Sequence, residues 1–358
     1  MKANKNPKAY FSANLNSWHT TANHRSLPWK NVKDPYKIWL SEVILQQTRA
    51  LQGLPYYDKF TEAFPTVQDM AAAKDEDVFR IWQGLGYYNR CKNMLATARH
   101  ITNELLGVFP DTYEELLGLK GIGPYTAAAI ASFAYGLPHA VVDGNVYRVL
   151  SRYFGIETPF DTTEGKREFA VLASELLDKS ASAAHNQAIM DLGATVCTPQ
   201  NPACDSCPLA KKCVALANNL TGVLPVRSKK VAVRKRYFHY LLLKKEDTIW
   251  ISKRTGKDIW QNLHEPYLIE ADSPLTVAEL AKHELFKKLN IAPGKIRPAG
   301  NNTQKLTHQL IDSRFFNINI NEKNTMIVDG GQWLKNKELK KIAFPKTVLS
   351  FLENNFYF

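Results

Sequence analysis

Apolar positions recur at helical spacing from Lys8 to Leu216, and after Asn219 the spacing shifts toward the alternation of strands. Asp34-Pro35 opens a segment running to about Arg49, with Pro35 acceptable in a first helical turn. Further helices are predicted around Pro55–Ala63, Glu76–Gln83, Asn89–Leu106, Thr112–Leu117, Tyr125–Tyr135, Val146–Phe154, Gly165–Lys179 and Ala184–Leu192. Short connections rich in Gly and Pro join them. Thr221-Gly-Val-Leu-Pro225 has linker composition, and the basic run Lys229–Arg236 follows it. Tyr237–Leu243 and Thr248–Ser252 flank the polar turn Lys244–Asp247 as a β-hairpin. Asp312–Ile320 and Thr325–Asp329 are expected as later strands, with helices near Thr276–Leu289 and Thr347–Asn354. The pattern divides the chain into an all-α domain over 8–218, a linker over 219–232 and an α+β domain over 233–358.

A chain of 358 residues has room for two such domains, each with its own core. No apolar run approaches the roughly 20 residues a membrane helix needs. The polar stretch Met1 to Ala9 is no export segment, which predicts a cytoplasmic protein, nucleoid-associated if bacterial. The formal charge of +12 favours a polyanionic partner such as nucleic acid. Its distribution is uneven: 22 basic and 21 acidic residues up to Leu220, then 24 basic and 13 acidic. The first part must therefore hold phosphate by local geometry, while the second carries the long-range attraction.

Four of the five cysteines, Cys197, Cys204, Cys207 and Cys213, fall within one short segment spaced C-x6-C-x2-C-x5-C. Four thiolates on one loop can close around a soft metal centre, and an intracellular chain kept reduced favours metal over disulfides. Spacing alone leaves structural zinc open beside an iron–sulfur cluster.

Within 112–135 a helix ends near Leu117, the loop Leu119-Lys-Gly-Ile-Gly123 follows, and Pro124 opens the next helix. Gly121 and Gly123 bare amide N–H groups at a helix N-terminus, where a phosphate is held by hydrogen bonds and the helix dipole. This is a helix–hairpin–helix arrangement. Two carboxylates also stand out. Glu42 shares a helical face with Ile38 and Leu45, where desolvation would raise its pKa toward that of a general acid; a stripe-edge glutamate reaching water fits the same periodicity. Asp143 precedes a predicted helix, where it also suits an ordinary N-cap.

The segments WLSEVILQQT, LKGIGPYTA and VDGNVYRVL, together with the cysteine loop, resemble the endonuclease III-like helix–hairpin–helix DNA glycosylases in order and context. Within that superfamily the chain is most similar to the MutY-type adenine DNA glycosylases, and its second domain resembles their MutT-like (Nudix-fold) domain. The resemblance implies an all-α glycosylase core with one 4Fe–4S cluster, followed by an α+β domain that recognises 8-oxoguanine. Double-stranded DNA with adenine opposite 8-oxoguanine or G would be the partner of a monomeric enzyme. A bifunctional glycosylase/lyase for oxidised bases and a catalytically silent damage-binding protein are the alternatives. Bifunctional members carry a lysine nucleophile where this chain has Tyr125, and tyrosine forms no Schiff base. Related thymine-removing glycosylases lack the glutamate matched by Glu42.

The same resemblance implies that Glu42 protonates the leaving adenine, that Asp143 stabilises the developing oxocarbenium sugar, and that Tyr125 and Asn145 orient the two. Arg25, Leu27, Trp29 and Lys30 match the adenine-pocket segment, with Gln187 and Met190 as its far wall; Lys30 departs from the family's usual Arg. Gln47 and Tyr87 resemble residues that wedge into the duplex and contact the opposite base, joined at the DNA by Thr48, Leu85, Lys120, Gly121 and Gly123. Leu306-Thr-His308 replaces a Phe-Ser-His-type loop, so Thr307 and His308 would read the opposite base. The glutamate-rich helix of true Nudix hydrolases is absent, which implies recognition without hydrolysis.

Overall fold

The computed structural model describes residues 6–228, 232–320 and 330–355; the expected strand Thr325–Asp329 lies outside the described residues. Twelve α-helices come first among them: α1 (Pro7–Thr21), α2 (Pro35–Leu45), α3 (Ala50–Ala63), α4 (Val67–Ala72), α5 (Asp75–Trp82), α6 (Tyr88–Glu104), α7 (Tyr113–Gly118), α8 (Pro124–Tyr135), α9 (Gly144–Phe154), α10 (Thr163–Leu176), α11 (Ser182–Thr195) and α12 (Val214–Ala217). Strands β1 (Arg234–Lys245), β2 (Thr248–Lys253), β3 (His264–Glu265) and β4 (Tyr267–Ala271) follow. Then come α13 (Val277–Leu280), α14 (Glu284–Lys288), β5 (Arg297–Lys305), β6 (Gln309–Asn319), β7 (Gly331–Lys335), α15 (Asn336–Leu339) and α16 (Lys346–Asn354).

The helix starts follow local chemistry. The Asp34 side chain accepts from the Tyr36 amide and Pro35 takes the first turn of α2. Thr112 caps α7 and Thr162 caps α10 in the same way. Gly136 and Gly155, both at φ +71°, close α8 and α9 in the left-handed conformation. The helix expected from Pro55 begins a turn earlier, at Ala50. Pro55 is the sixth residue of α3 and has no N–H to donate to the Leu51 carbonyl, yet the helix runs through it. The predicted helix over Thr276–Leu289 is two short pieces, and β3, β4, β5 and β7 escaped the sequence pattern.

Contacts divide the chain into two compact units: Met1–Gln68 with Ala96–Lys230, and Asp69–Leu95 with Val231–Phe358. In the first unit α2 and α8 pack on each other and are apolar on nearly every side, as central helices must be. Residues 126–132 of α8 are buried without a break, as are Tyr36 and 38–44 of α2. A neighbouring core gathers Phe11, Tyr153, Phe169, Ile189 and Leu192 from α1, α9, α10 and α11. Linker residues Val226 and Ser228 lie on this unit, where the Phe160 amide donates to the Val226 carbonyl and the Ser228 amide to Asp161.

The second unit is built on a mixed sheet in the order β3-β2-β1-β6-β5, with β4 also on β1 and β7 on β2. The β1–β6 pair is parallel, over Arg234↔Gln309 to Lys244↔Asn319; the other pairs are antiparallel. Residues 69–95 belong to this unit by contact, and Lys253 pairs with Glu76 at 3.1 Å. No helix among the described residues is long and apolar enough to cross a membrane.

Candidate active site

The packing of α2 on α8 decides the chemistry at its centre. It brings the Tyr125 hydroxyl to donate to Glu42 Oε2 at 2.6 Å. Glu42 is 7 % exposed, and burial pushes its pKa up from 4.5 to about 7. The Tyr125 hydrogen bond opposes that rise and the negative charge of Asp143 adds to it. Burial also pushes the Tyr125 phenol well above its ordinary range, so it stays a donor.

Asp143 is the N-cap of α9, and its Oδ1 accepts from the amides of Asn145 and Val146 at 2.8 Å each. The Asn145 side chain donates to Oδ2 at 2.6 Å. Burial raises this carboxyl, while those three hydrogen bonds and the Arg148 charge pull it back toward the ionised form. Capping and proximity to Glu42 are therefore properties of one side chain. The site pairs a carboxyl poised to hold a proton near neutrality with one surrounded by donors to its anion.

Asn145 is held in turn. Its Oδ1 accepts from Arg148 Nη2 at 2.8 Å, and the same guanidinium donates to the carbonyls of Gly193 at 2.7 Å and Cys197 at 2.6 Å. One buried arginine thus joins the N-terminus of α9 to the end of α11 and the first cysteine of the loop. One turn on, Arg152 donates to the carbonyls of Leu224, Thr198 and Pro199, and to Cys197 Sγ at 3.4 Å. Cys197, Cys204, Cys207 and Cys213 are free thiols lining a single apolar cavity. Burial and one another's charge push Cys204 and Cys213 up, and Cys207 to about 11. Thiols that resist ionisation together in this way become thiolates when a cation shares the cavity, so four soft donors here fit a thiolate-bound metal group. Among the described residues no three such side chains form a single-ion site.

The segment 25–30 meets α11 at Asp191, a wholly enclosed carboxylate paired with Arg25 at 2.8 Å and Lys30 at 2.5 Å. Gln187 Nε2 donates to the same group at 3.0 Å. Trp29 lies edge-on to Tyr57 at 5.3 Å, the Leu27 carbonyl accepts from the Lys30 amide, and Met190 is buried on α11. In the hairpin, Gly121 takes φ +78°, Gly123 caps α8, and Lys120 is exposed while its carbonyl accepts from Thr97. Gln47, exposed at the end of α2, holds φ +56°, a conformation uncommon without glycine. The Thr48 hydroxyl donates to the Gln46 carbonyl.

In the second unit Tyr87, at φ +49° and 47 % exposed, meets the Thr307 hydroxyl at 2.6 Å. Gly84–Arg90, Asp258–Gln261 and Gln304–Gln309 line a cavity of about 610 Å³, with His308 exposed at its wall. Leu85, expected at the DNA, is buried at 5 % exposure, so its side chain offers no surface there. The buried Arg236 guanidinium donates to the exposed carboxylates of Asp258 and Glu270 and to Gln309 Oε1 beside the 306–308 turn.

Residues 40–174 match the HhH-GPD superfamily base excision DNA repair protein family, and 239–354 match the NUDIX domain. An adenine DNA glycosylase of Buchnera aphidicola subsp. Schizaphis graminum is 33 % identical over 350 residues, 96 % of this chain and 98 % of the relative. The chain belongs to the adenine DNA glycosylases. These are base-excision repair enzymes that hydrolyse N-glycosyl bonds in DNA. The Mus musculus adenine DNA glycosylase is 42 % identical over 60 % of this chain and 43 % of its own length. A thermostable thymine-DNA glycosylase structure aligns with 59 % of this chain and 97 % of its own, at 28 % identity and a TM-score of 0.55.

For an adenine DNA glycosylase, three residues at the site went unread in the sequence. Arg148 and Arg152 are cations four apart on a helix whose other positions are largely buried, a pattern that marks buried anchors in hindsight. Asp191 interrupts the apolar run of α11 as Glu42 interrupts that of α2, and the same signal would have found it.

Proposed function

We propose that this adenine glycosylase acts on adenine opposite 8-oxoguanine, and less well opposite G, leaving an abasic site without cutting the strand. The reading rests above all on the Tyr125–Glu42 hydrogen bond and the Glu42 pKa near 7. Adenine leaves poorly as an anion, so a proton must reach its N7 before or as the glycosidic bond breaks. Glu42 is half protonated near neutral pH and supplies it. Positive charge then grows on the sugar, and the Asp143 carboxylate, held by Asn145 and the α9 amides, stabilises it electrostatically or by transient attachment. Water activated by Glu42, now ionised, completes hydrolysis. Tyr125 occupies the position of a Schiff-base lysine without being able to act as one, so no lyase step follows.

The base must leave the stack to reach these groups. Arg25, Leu27, Trp29, Lys30, Gln187 and Met190 would line its pocket. Gln47, Thr48 and Tyr87 would engage the opened duplex, and Lys120, Gly121 and Gly123 its phosphates. Thr307 and His308 would read the opposite base. We assign Cys197, Cys204, Cys207 and Cys213 to one 4Fe–4S cluster, which when bound would fasten the loop to itself through these four thiolates and supply no step of the hydrolysis, while Arg148 and Arg152 hold that loop to α9.

Single-turnover excision on a duplex with one adenine opposite 8-oxoguanine, quenched with and without alkali, tests the reading. Breaks should need alkali, be absent from an A·T duplex and vanish in Glu42→Gln. Breaks without alkali, or persistence in Glu42→Gln, would overturn it.

A further inference from the structure

We infer that Asp191 is a positioning residue that makes the pocket selective for a purine carrying a 6-amino group. This rests on the proposed place of Gln187 in the base pocket. The Asp191 carboxylate has no exposed surface and takes four donors: Arg25 Nη1 and Gln187 Nε2 on Oδ1, Asn23 Nδ2 and Lys30 Nζ on Oδ2. Four donors fill the acceptor capacity of a carboxylate.

An ionised carboxylate only accepts, so the Gln187 amide has one orientation against it, with Nε2 inward. Its carbonyl oxygen is left as the free end of the half-buried side chain. A fixed acceptor suits the N–H donors of adenine's 6-amino group and opposes the 6-oxo group of hypoxanthine or guanine. Asp191 sits two residues before Gly193, whose carbonyl shares Arg148 Nη2 with Asn145, so the reading group and the catalytic pair are held by one helix end.

The inference has a directional consequence for Asp191→Asn. An amide at 191 offers one acceptor and one donor. Lys30, with 10 % of its side chain exposed, cannot turn to water, whereas Arg25, with 25 %, has more freedom. The Asn oxygen therefore faces Lys30 and Asn23, and its NH₂ faces Gln187. Gln187 must then rotate to accept from it, which turns its own NH₂ outward and favours a 6-oxo base.

The test is single-turnover release of adenine and of hypoxanthine, each opposite 8-oxoguanine. Wild type, Asp191→Asn, Asp191→Asn/Gln187→Glu and Gln187→Met are compared, with thermal melts confirming the fold. The adenine-to-hypoxanthine rate ratio should fall at least about tenfold in Asp191→Asn, the loss expected when a buried polar partner is mispaired. It should recover in the double variant, where a carboxylate at 187 accepts in either orientation. Gln187→Met, which leaves Asp191 in place, should lower the ratio even if Asp191→Asn does not fold. Equal losses on both bases, with the ratio unchanged in a folded variant, would reduce Asp191 to a structural anchor and overturn the inference. A wild-type enzyme that released no adenine would instead remove the pocket reading itself, and the inference with it.

Discussion

Replacing Tyr125 with Phe deletes one hydroxyl beside Glu42 and keeps the ring that buries it. That hydroxyl donates at 2.6 Å to Oε2, favouring the carboxylate and holding the Glu42 pKa lower than burial alone would. A hydrogen bond to a charged group contributes roughly 1.5–3 kcal/mol. A protonated carboxyl retains part of it, leaving about 1–2 kcal/mol of differential stabilisation, or about one pKa unit. Because protonated Glu42 is the active form, the alkaline limb of excision should move from about pH 7 to about pH 8 in Tyr125→Phe. The absolute rate falls as the acid loses its orientation, yet the rate at pH 8 relative to pH 6 should rise several-fold. Single-turnover rates across the pH range, with enzyme in excess, isolate this step from product release. A limb that stayed in place or moved to lower pH would refute both the assignment of the acid and the reasoning about its donor.

Further outcomes follow from the same geometry. Glu42 keeps its proton in the fold up to about pH 7, while the unfolded chain loses it near 4.5, so stability falls as pH rises through that window. The total is about 3 kcal/mol, and Glu42→Gln should melt above wild type at pH 8, with the gap closing toward pH 4.5; a reversed gap would contradict it. Arg148→Gln strands the buried carbonyls of Gly193 and Cys197 and frees Asn145, costing on the order of 3–5 kcal/mol in denaturant unfolding; a loss below about 1 kcal/mol would show that the network carries little. In Gly193→Ala the new Cβ would lie 2.6 Å from Asn145 Cβ, so excision should slow at least tenfold while DNA affinity holds, and unchanged rates would argue that Asn145 is dispensable. DNA affinity should drop steeply with salt, given the 24 basic residues beyond Leu220 against 13 acidic, and a flat response in a titration would refute phosphate attraction by that part.

Much of the site was legible because its signals are violations of local pattern. Glu42 stands in an apolar stripe, two glycines precede Pro124, and four cysteines crowd one loop. The helices around them were readable to within a few residues because caps such as Asp34, Thr112 and Thr162 act on their own first turns. The strands β3, β4, β5 and β7 were not: β5, for one, is exposed along most of its length and carries no apolar alternation, and pairing with β6 holds it extended.

The sequence by itself determined the helical first part, the hairpin, the cysteine set and the two carboxylates, since each depends on chemistry within a few bonds or turns. The tertiary structure decided what those groups do to one another. Glu42 and Tyr125 are 83 positions apart, and only the packing of α2 on α8 makes their hydrogen bond. Arg148 reaches Gly193 and Cys197, 45 and 49 positions away, and Asp191 reaches Arg25 across 166. A pKa or a hydrogen bond is set by the dielectric and donors within a few ångströms, and that neighbourhood exists only once distant segments have been brought into contact.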